Sequence, residues 1–318
     1  MATKIFFVLS LFLGICLIFG DAMALDYPKR EVEYIVAYAP GSTTDNLARV
    51  AVKFGEKSLG KPIVIVNKPG GGRGWSALAA AKPDGYTIGG ISNVIIAHSY
   101  LLKGVNYNLK SFKPITRIGY GLCGLFVKKG GPYDIPLKEL VKKAKEKPKT
   151  LKAGIGGQWA IGDFVRGLFE DVADIQTLRV PFPGVGEVIP ALLGGHVDVE
   201  YGSEWAPLYK AGKLSVLALA IEKRDPRVPE IPTFKELGFD VVLAATHYVA
   251  GPAALPDPIV NHLSEAFKKG FSEKAFVDAL DSLECVGGWE SPESSMKSLE
   301  EIDRIYQRVI KRLDLKPE

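Results

Sequence analysis

Reactive side chains are scarce in this chain: among 318 residues there are only 3 Cys, 4 His and 3 Met. One cysteine, Cys16, falls in an apolar leader. That leaves Cys123 and Cys285, far apart in sequence, which fit either a long-range disulfide or two separate buried thiols. His98, His196, His247 and His262 lack any metal-ligand spacing and read as structural or surface residues, so no metal and no cofactor is expected. The chain has no G-x-S-x-G elbow, no Walker A loop and no H-E-x-x-H. Residues 69–74 are glycine-rich but miss G-x-G-x-x-G, because Trp75 takes the last glycine position. Charge of one sign is lacking too. Lys and Arg number 40 against 36 Asp and Glu, a net +4, and the signs are interspersed, which excludes a nucleic-acid signature. Past the leader there is no apolar run of membrane length.

The leader has a short basic start at Lys4, an apolar run over residues 5–19 and a small-x-small site at Ala22-Met23-Ala24. It reads as a signal peptide over residues 1–24, cleaved after Ala24; the alternative is a retained N-terminal anchor. A secreted protein in the bacterial periplasm is the expected localisation.

Beyond the leader the chain alternates strand-like and helix-like segments. Residues 32–38 alternate and are rich in β-branched and aromatic types. Residues 63–67, 86–91, 151–155, 177–180, 197–201 and 214–221 also read as strands. Helical spacing covers 47–54, 75–81, 138–147, 164–169 and 185–193. This βαβα order predicts an α/β fold with largely parallel sheets. Two long extended runs, 115–127 and 241–249, bracket a middle block with its own βαβα pattern. A chain that leaves one lobe and returns needs two such crossings, so two lobes with a double hinge and an inter-lobe cleft are expected. The boundaries are 25–120 plus 248–318 for lobe 1 and 121–247 for lobe 2. Near the end, Asp257-Pro258 reads as an N-cap and first helical position, opening a helix to Phe267. A second runs over 272–283. The last helix carries Met296, Leu299, Ile302, Ile305, Val309 and Leu313 on one stripe that packs back on a lobe.

Glycine-rich turns fall where strands meet helices. Ala39-Pro40-Gly41-Ser42-Thr43-Thr44-Asp45 joins the first strand to the first helix, with Pro40 and Gly41 bending the chain and Ser42 or Thr43 capping the helix. A helix N-terminus with hydroxyls beside it suits a carboxylate or phosphate. Similar turns follow at Gly70 to Gly74, Gly89 to Asn93, Gly154 to Trp159, Pro181 to Gly184 and Tyr201 to Ser203. Each alone is an ordinary α/β turn; together they favour a binding cleft at the carboxyl ends of strands.

The opening turn resembles the A-P-G-G-S-T-D turn of the solute-binding receptors of tripartite tricarboxylate transporters, the Bug-type receptors. Val66-Asn67-Lys68-Pro69-Gly70-Gly71-Gly72 is similar to their E-N-R-P-G-A-G, and Pro83-Asp84-Gly85-Tyr86-Thr87 to their P-D-G-Y-T. Leu192 to Val199 matches L-L-G-G-x-V-D-V, and Lys210 to Leu214 matches K-A-G-K-L. Ile231-Pro232-Thr233 with Glu236 and Gly238 resembles V-P-T-x-x-E-x-G. The resemblance runs from Tyr27 to beyond Gly287. It implies a type II periplasmic-binding-protein fold that closes on a small organic carboxylate, and a monomer serving the membrane permease subunits of a tripartite transporter. Carried over, the first-lobe contacts are Tyr38, Pro40, Gly41, Ser42, Thr43, Thr44, Asp45 and Ser92. The second-lobe contacts are Gly156, Gly157, Gln158, Trp159 and Ala160, with Pro183, Gly184, Gly202 and Ser203 at the rim.

The chain departs from the family pattern at three places. Ser42 and Thr43 replace Gly-Ser in the first turn. Gly156 to Asp163 replaces a turn like S-G-N-G-T-S-x-H. Gly202-Ser203-Glu204-Trp205 stands where many members carry an Asp. Trp159 either stacks on a planar ligand or fills the lobe core. Asp163 and Glu204 either receive an ammonium group or serve a helix dipole. Two other functions fit the same segments: a secreted α/β enzyme using Asp45, Asp163 or Glu204, and a receptor serving a sensor protein.

Overall fold

The computed structural model describes residues 26–70 and 72–317, so the leader lies outside the described residues. The first strand, β1 (Val32–Val36), buries Val32, Tyr34, Ile35 and Val36. Helix α1 (Thr43–Leu59) follows. Ser42 caps it by accepting the Asp45 N–H on Oγ at 3.2 Å, and Gly60 ends it in the left-handed region at φ 73°. Then come β2 (Ile63–Asn67), α2 (Gly72–Ala79), β3 (Thr87–Ser92), α3 (Val94–Leu101) and β4 (Phe112–Gly121). β1 lies parallel to both β2 and β3.

The expected extended run 115–127 is two strands. It breaks at Leu122 and Cys123, and β5 (Gly124–Lys128) starts a second sheet. At Gly121 a Cβ would stand 3.2 Å from that of Ser203 and 3.7 Å from that of Ala245, so this end of β4 lies close to the second sheet and to the return crossing. The second sheet adds β6 (Lys152–Gly156), β7 (Leu178–Phe182), β8 (Val199–Gly202) and β9 (Leu214–Leu219). Its helices are α4 (Leu137–Glu146), α5 (Ile161–Ala173), α6 (Val185–Gly194) and α7 (Ala206–Lys210). The order is β7-β6-β8-β5-β9.

The return crossing begins later than expected. Residues 241–244 are irregular, and β10 (Ala245–Pro252) takes the centre of the first sheet. After it come α8 (Asp257–Phe271), α9 (Lys274–Asp281), β11 (Cys285–Gly287) and α10 (Pro292–Arg312). The first sheet then reads β11-β4-β10-β3-β1-β2. The sheets are parallel only in part: β10 runs antiparallel to β3 and β4, and β5 antiparallel to β8 and β9. A strand that crosses between lobes enters each sheet against the βαβ direction. Asp257 is not the cap of α8; Pro256 holds that position, and the Asp257 carboxylate pairs with Lys113 at 2.5 Å instead. α3 and β11 were not expected, being short and without a clear period.

The result is two α/β lobes joined by a double crossing; one core cluster runs through both, from Ile35 and Trp75 to Phe164 and Val199, and each lobe adds a smaller one. Leu47, Ala51 and Phe54 of α1 pack against Leu263 and Phe267 of α8. The two helices meet so closely that a Cβ on Gly270 would stand 2.2 Å from the Phe54 carbonyl oxygen. At about 25 cal/mol per Å² of apolar surface, each fully buried Phe or Leu here contributes about 2 kcal/mol. α10 packs on both lobes rather than one: it lies on β4 and α3 and also on α5. Cys123 and Cys285 are both buried free thiols.

Candidate functional site

In the first lobe, the turn after β1 is held from inside by one carboxylate. Asp45, 1 % exposed, accepts the Gly41 N–H at 2.9 Å and an Asn67 amide hydrogen at 2.8 Å. Arg49 donates to it twice, at 2.8 and 3.2 Å. Burial alone pushes this carboxyl up, but the donors from Arg49, Asn67 and Gly41 together outweigh it and hold the group below the usual carboxylate range. Asn67 also donates to the Tyr38 carbonyl at 3.0 Å, tying β2 to the turn. Gly41 sits at φ 81°, which a side chain would resist. With Ser42 and Asp45 occupied inside the turn, the backbone N–H groups and hydroxyls of Thr43 and Thr44 take no partner among the described residues. Asp45 is therefore the turn's internal clamp, and Thr43 and Thr44 carry its free donors.

Ser92 closes β3 and is buried. Beside it Asn93, fully buried, donates to the Ala244 carbonyl at 2.9 Å, while its Oδ1 has no partner among the described residues.

In the second lobe the turn after β6 is tied to β7: the Gly157 N–H meets the Phe182 carbonyl at 3.1 Å. This sets residues 156–160 beside Pro183 and Gly184. The helices that start there, α5 after Ala160 and α6 after Gly184, have no side-chain cap on their first N–H groups. A Cβ on Gly162 would lie 2.0 Å from the Tyr201 carbonyl oxygen, so α5 can press onto β8 only with glycine there.

Two expected ligand groups are buried beside Arg179. Trp159 is 3 % exposed in the lobe core, with the Arg179 guanidinium 4.8 Å from its ring centroid, which favours the core reading of that ring. Asp163, 1 % exposed, is held by Arg179 through parallel bonds of 2.7 and 2.8 Å, so its carboxylate already has a cation. Ser203 sits against Gly121 and Ala245 at the crossing. Its N–H and hydroxyl both donate to Glu204, at 2.9 and 3.0 Å.

Sequence reasoning missed Glu200, which is buried on β8 with one carboxylate oxygen unpartnered among the described residues. Burial first, and the nearby Glu204 second, push its carboxyl up to about 9. Its only sequence signal was an acid in a strand otherwise apolar. A groove of about 730 Å³ lined by Tyr100, Phe112, Lys113 and Met296 lies elsewhere and shares no residue with these turns. Among the described residues no group of His, Cys, Asp and Glu is arranged to hold a metal.

The geometry can seat an anion: the chain offers helix N-termini at the carboxyl ends of strands in both lobes, with the free hydroxyls of Thr43 and Thr44 on the first. Known proteins similar to this chain bear on its family. The model of the tripartite tricarboxylate transporter family receptor matches residues 47–315. The "UPF0065 protein in gbd 5'region" of Cupriavidus necator is 31% identical over 275 residues, covering 84% of this chain and 83% of that protein. A TctC solute-binding protein from Polaromonas superposes with a TM-score of 0.79 at 27% identity, over 90% of this chain and 99% of that one. An R. palustris protein with adipate superposes with a TM-score of 0.78 at 25% identity, over 92% of this chain and 100% of that one. The fold is that of the periplasmic binding proteins, and the chain belongs to the tripartite tricarboxylate transporter receptor family.

Proposed function

We propose that this protein is a periplasmic solute-binding receptor that captures a small organic carboxylate and hands it to the permease subunits of a tripartite transporter. The observation that carries the reading is the pair of walls: unpaired N–H and hydroxyl donors of Thr43 and Thr44 on one lobe, uncapped N-termini of α5 and α6 on the other. A carboxylate placed between them satisfies donors on both lobes at once. Because only the closed arrangement makes both sets of contacts, the ligand shifts the population towards closure. Membership of a receptor family and the adipate held by a relative support the ligand class. The leader reading supports export.

Catalysis has little to work with. Asp45 and Asp163 are both clamped by arginines, which leaves Glu204, exposed but hydrogen-bonded by Ser203, as the one acid of the three without a cation. The test is thermal unfolding against a panel of carboxylates, adipate included. A ligand at a hundred times its Kd stabilises the fold by about 2.7 kcal/mol. A folded Thr43→Asp variant is expected to lose that shift, because it sets a negative charge at the seat. A panel without any stabilising acid sinks the reading, and steady turnover of a bound acid points to an enzyme instead.

A further inference from the structure

His247 stands apart from the other three histidines. His98 packs against Trp75, His262 stands edge-on to Tyr27, and His196 is exposed. His247 is the third residue of β10, directly opposite Ser92 of β3. β10 is antiparallel to β3, which is parallel to β1, so the first residues of β10 lie at the end of the sheet where α1 begins. Against β3 the register is unbroken from His247 through Val249, so by strand alternation His247 shares a face with Val249. Val249 belongs to the core formed with Leu47 of α1, which makes this the face covered by α1. At about 4.8 Å per strand, His247 lies roughly 10 Å across the sheet from the end of β1, a span that a short-chain acid covers.

The residues around it on the strand, Thr246, Tyr248, Val249 and Ala250, are buried, whereas His247 keeps some exposure. Its ring nitrogens take no hydrogen bond among the described residues. The charged groups on the elements beside it already have partners. Arg49 and Asp45 of α1 hold each other, and Arg117 of β4 pairs with Glu290 at 3.3 Å. β3 contributes Ser92, and Glu204 of the second lobe is held by Ser203. A largely buried imidazole without a partner, keeping some exposure at the strand end that carries the anion seat, has the chemistry to meet an acid.

We propose that His247 is a specificity-determining group of the cleft, taking up a proton from solvent as a carboxylate settles between it and the N-terminus of α1. The proposal rests on the carboxylate reading above and adds the group that supplies the positive charge. Burial holds the empty imidazole down at about 4, so it is neutral at pH 7 and an empty cleft carries no buried cation there. A carboxylate at hydrogen-bond distance raises that value. Affinity therefore gains from the bound imidazolium below its raised, ligand-bound value and loses the gain as pH rises through it. The limit is about tenfold per pH unit for one proton.

The experiment is an NMR titration of the intact protein with its histidines labelled, at pH 6.0 and 7.5, using adipate and acetate as probes. Calorimetry in phosphate and Tris buffers, whose ionisation heats differ, counts the protons taken up. The expected result is one imidazole of the 4 becoming imidazolium on binding, lost in His247→Gln, with net proton uptake. His247→Gln should bind about tenfold more weakly at pH 6.0 and show a flatter pH profile. An acid that binds while the imidazole stays neutral and no proton is taken up overturns the proposal alone. If neither probe moves the imidazole and no acid of the panel stabilises the fold, the carboxylate reading falls and this proposal with it. The wild-type titration needs no variant, so a misfolded substitution cannot obscure the outcome.

Discussion

The rings of Phe164 on α5 and Tyr306 on α10 lie parallel, 3.8 Å between centroids and 7° between planes. Both are fully buried, and the stack fastens the last helix of the chain to the second lobe, while Tyr100 and Asp303, 3.0 Å apart, fasten the same helix to the first. Replacing Tyr306 by Ala removes the stack and leaves a cavity, at an expected cost of about 3–5 kcal/mol in urea unfolding. Tyr306→Phe should cost nothing or gain up to about 1 kcal/mol, since its hydroxyl has no partner among the described residues. Equal losses for the two variants would refute this account of the stack.

Arg179 and Asp163 form the second test. Asp163 is buried, so Arg179→Met leaves a carboxylate without its bidentate partner and is expected to cost about 3–5 kcal/mol. The double variant Asp163→Leu, Arg179→Met removes both charges and should recover much of that loss. Chemical denaturation of the two singles and the double measures the coupling; simple additivity would mean that the pair is not a unit. Arg166, 3.6 Å from Asp163, shares the cluster and bounds how complete the recovery can be.

Glu200 predicts a dependence on pH. Its folded carboxyl is raised to about 9, against an ordinary glutamate near 4.3 when unfolded. The native state therefore holds a proton that the unfolded chain releases, so stability falls as pH rises between those two values and levels off above 9. One group can contribute a slope of up to about 1.4 kcal/mol per unit. Glu200→Gln keeps the shape and removes the titration, so its stability should drop less from pH 6 to pH 9 than that of the natural chain. A parallel drop in both would assign the slope to other groups.

Local features of this molecule were legible in its sequence, and long-range ones were not. The turn from β1 to α1 follows from nearby residues: an alternating strand, Pro40-Gly41, a Ser42 cap and an apolar stripe at helical spacing. The two lobes and the α/β class follow from the order of such patterns. The break at Leu122 and Cys123 escaped because Gly121 and Gly124 look like ordinary small residues in an apolar run. The close neighbour of Gly121 is Ser203, about eighty positions away. Trp159 and Asp163 were open to two readings for the same reason, since Arg179 reaches them from the next strand, β7. The clamp on Asp45 was half visible. Arg49, one helical turn on, is a local partner, whereas Asn67 comes from the end of β2. His247 gave no signal at all, because only its register against Ser92 brings it to the seat.

The place of β10 in the middle of the first sheet governs the order in which this chain can fold. β3 and β4 are not neighbours; Ala245–Pro252 lies between them. A chain emerging from its N-terminus can pair β1 with β2 and β3, and can then complete the whole second sheet from β5 to β9, all contiguous in sequence. β4 has no partner in its own sheet until β10 and β11 arrive. Joining them closes a loop of more than a hundred residues, which is slow because the chain entropy is lost before the contacts form. In the interval the edges of β3 and β4 are open, and open edges expose a folding chain to aggregation.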